Sequence, residues 1–177
     1  MQEKAGWWKW PYYSAPVAVG RLLRFTMTHD YVAGDFMWTG IDYLGEAHWP
    51  GRSSSAGVLD TCGYEKDGYY FYQSIWKRRE PMAHLLPHWN MDVEKGTIIQ
   101  VLGYTNCEYA ELFLNGRSYG KKAYSYPAYG MTQYYGHFDK EPIPVNTDNL
   151  FLSWDVPYEP GCIELVGYRD GIDVAVS

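Results

Sequence analysis

A chain of 177 residues has room for one medium domain or two small ones, but not for a complete β/α barrel of roughly 250 residues together with a sandwich of about 100. Its formal charge of -6 with 15 Lys and Arg argues against nucleic acid or an anionic membrane surface as partner, because phosphate binding needs clustered cations and Lys77-Arg78-Arg79 is the only basic run. No apolar segment approaches the roughly 20 residues that span a bilayer, and three cysteines (Cys62, Cys107, Cys162) without paired spacing suggest neither a disulfide framework nor a zinc cluster.

The aromatic cluster Gly6-Trp7-Trp8-Lys9-Trp10-Pro11-Tyr12-Tyr13 has no clear period. It reads either as a loop lining a binding subsite or as former core that truncation would leave exposed. Ser14-Ala15-Pro16 then offers a helix cap with proline in the first turn, and Val19, Leu22, Leu23 and Met27 fall on one helical face. The apolar run from Tyr31 to Trp38 predicts a strand covered on both faces, as in a parallel sheet. It changes abruptly to Thr39, Gly40, Asp42, Tyr43, Gly45 and Glu46, a crowd of carboxylates, rings and glycines of the kind that builds a binding site at the carboxyl end of a barrel strand.

His48-Trp49-Pro50-Gly51-Arg52-Ser53-Ser54-Ser55-Ala56-Gly57 is dense in turn formers and reads as a pocket rim. Asp67 is positioned to cap a short helix in which Tyr69, Tyr72, Gln73 and Trp76 share a face, expected to pack on a barrel. At Arg78-Arg79-Glu80-Pro81 helical spacing gives way to short alternating runs, so a domain boundary is expected between 1–80 and 81–177. Seven strands are predicted beyond it, at 82–89, 97–104, 109–114, 118–123, 150–156, 163–168 and 172–176, with Asn115-Gly116 as a tight hairpin turn whose central residues both need positive φ. Seven short strands in about 100 residues point to an immunoglobulin-like β-sandwich. The Tyr-, Pro- and Gly-rich stretch 124–149 interrupts that rhythm and reads as an insertion loop.

His84 and His88 fall on one strand face, but Pro87 rules out a helical metal-binding pair and no third ligand accompanies them. No phosphate loop or nucleophile elbow occurs, and nothing in the sequence requires a cofactor or a metal.

The wording of several segments carries a resemblance. Val32-Ala33-Gly34-Asp35-Phe36-Met37-Trp38-Thr39-Gly40-Ile41-Asp42-Tyr43-Leu44-Gly45-Glu46, then Ser53-Ser54-Ser55-Ala56-Gly57-Val58-Leu59-Asp60, Tyr69-Tyr70-Phe71-Tyr72-Gln73-Ser74-Ile75-Trp76, His84-Leu85-Leu86-Pro87-His88-Trp89-Asn90 and Glu111-Leu112-Phe113-Leu114-Asn115-Gly116 resemble, in order, glycoside hydrolase family 2, especially its β-galactosidase-like members. The resemblance implies an α+β fragment: the last strand/helix segment of a (β/α)8 barrel followed by the immunoglobulin-like sandwich, forming the carboxyl-terminal part of a longer enzyme. It implies a carbohydrate substrate, with Trp38 as the floor under the sugar ring and Asp42, Tyr43 and Glu46 as further substrate-binding residues. It also implies that the catalytic glutamates of a retaining mechanism belong to earlier barrel strands, in a missing amino-terminal part of the parent. The competing reading is a non-catalytic carbohydrate-binding or scaffolding protein whose rings form a shallow sugar platform.

Overall fold

The computed structural model describes residues 14–47, 50–77, 79–124, 145–146 and 149–177. The aromatic cluster ahead of Ser14 and nearly all of the expected insertion at 124–149 lie outside the described residues. Two helices, α1 (Ser14–Thr28) and α2 (Asp67–Trp76), precede eight strands: β1 (Ala83–Leu86), β2 (Ile98–Thr105), β3 (Tyr109–Leu114), β4 (Arg117–Tyr124), β5 (Val145–Asn146), β6 (Leu152–Pro157), β7 (Ile163–Arg169) and β8 (Ile172–Val176). The strands form a three-stranded sheet, β1-β2-β6, and a five-stranded sheet, β5-β4-β3-β7-β8.

Strict alternation explains how the two sheets close on one another. In β3, Ala110, Leu112 and Leu114 are buried while the residues between them are half-buried, and β6 buries Leu152, Trp154 and Val156 in the same way. Period-two patterning puts every second side chain on one face. Ile99, Val101 and Leu165 complete this core. Gly103 of β2 sits beneath it, where a Cβ would lie 2.8 Å from Leu165 Cδ2 and 3.2 Å from Trp154 Cζ3, so the two larger side chains meet over a position that only glycine leaves open. The expected β-sandwich is therefore present.

The opposite face of β2 is buried too. Leu102 and Tyr104 join Leu86 of β1, Leu150 and Phe151 in a second core with Phe71 and Ile75 of α2, against which Val19, Leu23 and Met27 of α1 pack. The helices thus lie on the outer face of the three-stranded sheet. The buried stripe of α2 is Phe71, Ser74 and Ile75, not the Tyr69, Tyr72, Gln73 and Trp76 face that spacing suggested. Trp76 is 64% exposed. The sheet offers the larger apolar surface in this chain and claims the helix, leaving the aromatic face turned away from it.

The expected buried strand at 31–38 does not form. These residues make no ladder, and Phe36 and Trp38 are 104% and 73% exposed. A parallel strand needs partners along its edges, and among the described residues this part of the chain finds only isolated bridges, Ile41 with Leu59, Leu44 with Ser53 and Leu59 with Glu65. The sandwich strands match expectation to within a few residues, with β3 and β8 coinciding, because each meets its partner inside the chain. The short β5, parallel to the end of β4, falls within the stretch read as a loop.

The Asn115-Gly116 turn has φ of 52° and 76°, the left-handed pair that a two-residue hairpin demands. Asn115 also clamps the connection between β6 and β7. Its Oδ1 accepts from the Cys162 N–H (3.0 Å) and its Nδ2 donates to the Pro160 carbonyl (3.2 Å). Gly161 is required by that clamp, since a Cβ there would lie 1.8 Å from Asn115 Oδ1.

A second asparagine ties the helices to the sandwich. Asn106, just after β2, donates from Nδ2 to the carbonyls of Lys77 and Glu80 (both 2.6 Å) and accepts at Oδ1 from the Met82 N–H (2.9 Å). One side chain thereby ties the end of α2, Glu80 and the approach to β1 to the end of β2. Asn106→Ala is expected to lower stability by about 2 kcal/mol and to make 77–82 the first segment cut in limited proteolysis. Thermal denaturation and mapping of the first cleavage site check both, and first cleavage within β3 would count against this role for Asn106.

Candidate functional site

After α1 the chain runs along the outside of the helices and then folds back on itself. Backbone bonds join the two arms of this return: Thr39 N–H to the Ala56 carbonyl (3.3 Å), Val58 N–H to Thr39 (3.1 Å), Leu59 N–H to Gly40 (3.1 Å), Asp42 N–H to Leu59 (2.9 Å) and Ser54 N–H to Tyr43 (2.8 Å). The arms approach so closely that a Cβ on Gly57 would lie 2.3 Å from the Asp42 nitrogen. Glycine is obligatory there because backbone occupies the space of a side chain.

The four residues expected to bind substrate separate into two groups. Trp38, Tyr43 and Glu46 come together. The Trp38 indole N–H donates to the Tyr43 hydroxyl (3.1 Å), and that hydroxyl donates to Oε2 of Glu46. The two rings meet edge to face, with centroids 6.0 Å apart. The indole is thus fixed by its polar edge while most of its surface stays open. The Trp38–Thr39 peptide is cis.

Asp42 faces a different set of partners. Lys66 Nζ donates to Oδ1 (2.9 Å) and Oδ2 (3.0 Å), the Gly57 N–H donates to Oδ1 (2.7 Å), and Lys66 reaches the Ser55 carbonyl as well (3.1 Å). The Asp42 side chain is only 11% exposed, so its charge is spent on holding the two arms together. Asp42 and Glu46 therefore belong to separate networks. Lys66 escaped the sequence reading because it lies 24 residues from Asp42 with no local signal to pair them. Gly57 lay within a quoted motif, but only the packing gives the reason for a glycine.

Lys66 is the residue before α2, and its neighbour Asp67 opens the helix. Asp67 Oδ1 lies 2.8 Å from Nε2 of His84 on β1, whose ring is stacked on Tyr70 at 3.9 Å. His84 is thus taken up by the helix. His88 lies beyond the end of β1 and is exposed, so the two histidines do not share a strand. Among the described residues no group of three or more His, Cys, Asp or Glu could hold a metal ion.

Two hollows flank α2. The larger, about 670 Å³, opens between the start of α2 and the segment after β1 and is lined by Asp67, Tyr70, His84, Pro87 and Asp92 among others. Its best-placed groups satisfy one another, Tyr70 on His84 and His84 on Asp67. Burial, then the charge of Glu65, raises the Tyr70 phenol above its ordinary range. The smaller, about 180 Å³, is formed by Val19, Asp35, Phe36, Trp38, Tyr72 and Trp76. Burial and then Asp35 raise the Tyr72 phenol, which keeps it protonated. Size favours the first hollow, but the exposed indole with its fixed edge stands at the second, and that arrangement is the stronger candidate for ligand contact.

Lys66→Met should leave the Asp42 carboxylate largely buried on a single backbone donor. A loss of about 2 kcal/mol is expected, together with faster hydrogen exchange at the Gly57 amide. Unchanged protection there would show that the backbone bonds alone hold the arms.

Residues 96–175 match a family described as a domain of unknown function (DUF4982). A putative β-glucuronidase of Formosa agariphila is 42% identical over 85% of this chain and 13% of its own length. A β-galactosidase of Bacteroides ovatus is 35% identical over 86% of the chain and 16% of its own. The chain thus spans less than a fifth of these relatives. Among solved structures, a β-glycosidase from Bacteroides vulgatus superposes with a TM-score of 0.66 at 39% identity, covering 83% of this chain and 16% of that one. A glycosyl hydrolase family 2 member from Bacteroides cellulosilyticus superposes with a TM-score of 0.63 at 27% identity, covering 84% and 21%. Alike in sequence and in fold over most of its length, this chain is similar to a segment of enzymes of glycoside hydrolase family 2.

Proposed function

We propose that this chain works as part of a longer β-glycosidase, in which residues 1–80 complete the end of a catalytic (β/α)8 barrel and 81–177 form an immunoglobulin-like sandwich that braces it. Trp38 forms the floor under the terminal sugar. Tyr43 and Glu46 hold the indole and border the pocket, and Asp42 acts through Lys66 by fixing the loop. The observation that carries this reading is the exposed indole, restrained at its N–H by Tyr43 and Glu46 with its ring left open. An aromatic face of this kind stacks on the C–H surface of a sugar.

A retaining mechanism needs an acid/base and a nucleophilic carboxyl group about 5 to 5.5 Å apart across the scissile bond. Asp42 is neutralised by Lys66 and Glu46 is engaged by Tyr43, so neither is a candidate for that pair. The reacting glutamates come from the rest of the barrel, outside this chain. The same reading accounts for Leu22, Phe36, Ile41, Leu44 and Trp76, all more than half exposed, as surface that the remaining barrel covers.

Two assays test the proposal. The isolated chain is expected to show no turnover of aryl β-glycosides. In the full-length enzyme, Trp38→Ala is expected to cost about 2 to 4 kcal/mol of transition-state stabilisation, tenfold to a thousandfold in kcat/KM. Turnover by the chain that vanishes on changing Asp42 or Glu46 would overturn the assignment of the carboxylates. An unaffected Trp38→Ala enzyme would return the indole to packing, and sugar binding by a chain with no catalytic partner would favour a carbohydrate-binding protein instead.

A further inference from the structure

We propose that Glu46 makes this site selective for neutral glycosides over uronides; the inference rests on the reading of Trp38 as the sugar floor. Glu46 is bound to Tyr43, whose oxygen lies 3.1 Å from the indole nitrogen. Its charge therefore stands about two hydrogen bonds from the edge of the ring on which the sugar lies. A sugar ending in a hydroxymethyl group brings no charge to this edge and can donate a hydrogen bond to the carboxylate. A sugar ending in a carboxylate brings a like charge to within several ångströms of the exposed Glu46 carboxylate, and like charges at that separation repel.

Accepting a uronide would require a cation to offset Glu46. The described part of the loop contains two, Arg52 and Lys66. Lys66 is committed to both oxygens of Asp42 and to the Ser55 carbonyl. Arg52 is exposed and precedes Ser53, which bridges to Leu44. It is thus the one described residue of the loop able to reverse the preference. The backbone at Glu46 adds weight to the assignment. Its φ of 45° lies in the left-handed region, which glycine or asparagine would occupy with less strain. A non-glycine residue in that conformation stores strain of the kind that clusters at functional positions.

The test uses the full-length enzyme and substrates matched except at carbon 6: 4-nitrophenyl β-glucoside against β-glucuronide, and β-galactoside against β-galacturonide. The neutral member of each pair is expected to have the higher kcat/KM. Glu46→Gln, which keeps an oxygen to accept from Tyr43, is expected to narrow each neutral-to-uronide ratio about tenfold. A ratio unmoved by Glu46→Gln overturns the inference, as does a uronide preference that collapses in Arg52→Gln. Trp38→Ala separates this from failure of the underlying reading. If it leaves both members of each pair unaffected, the sugar floor itself is misassigned, whereas loss on both with an unmoved Glu46→Gln ratio refutes only the role of charge.

Discussion

β2 is buried on both faces, and most of the described structure follows from that. Ile99 and Val101 look into the sandwich while Leu102 and Tyr104 look into the helices. A strand that contributes to two cores cannot shift toward one without opening the other. The helices are consequently part of the same packed body as the three-stranded sheet, even though the hydrophobic pattern changes period between them. Close-packed interiors transmit such constraints because they contain little free volume to absorb a displacement.

The polar contacts reinforce this coupling and carry it to the candidate site. Lys66 and Asp67 are adjacent in sequence and face opposite ways, Lys66 to the Asp42 carboxylate of the loop and Asp67 to His84 of β1. Between them they join the loop that presents Trp38 to the sheet that anchors α2. Asn106 adds a third tie, from the end of β2 to the connection leading out of α2. A sandwich attached in this way is more than an appended module, since it sets where the loop stands.

The loop itself is organised for rigidity beneath and openness above. Gly57 lets its two arms approach to backbone contact, and Asp42 neutralises the one cation directed at it. Trp38 is left with its N–H occupied and its face exposed. An aromatic surface held in one orientation loses little entropy when a ligand stacks on it.

The sandwich was legible from residue order because its information is local. Alternation, turn chemistry at Asn115-Gly116 and strand spacing specify strands whose partners lie in the same chain. The abrupt change from apolar to polar residues around Trp38 marks a segment in which Trp38, Tyr43 and Glu46 meet in space. What the order of residues could not decide was which neighbours each apolar surface would meet. The run at 31–38 has the composition of a buried strand, but strands form by pairing, and the described residues offer it no ladder. α2 has two apolar faces, and the buried Leu102 and Tyr104 of the sheet on one side, against the open hollow beside Trp38 on the other, chose the Phe71 face. Asp42 reads like Glu46 in sequence and differs from it in space because Lys66, distant along the chain, arrives beside one and not the other. Only the tertiary structure decides which carboxylate meets a lysine and which meets a tyrosine, because charge pairing depends on distance through space and not along the chain.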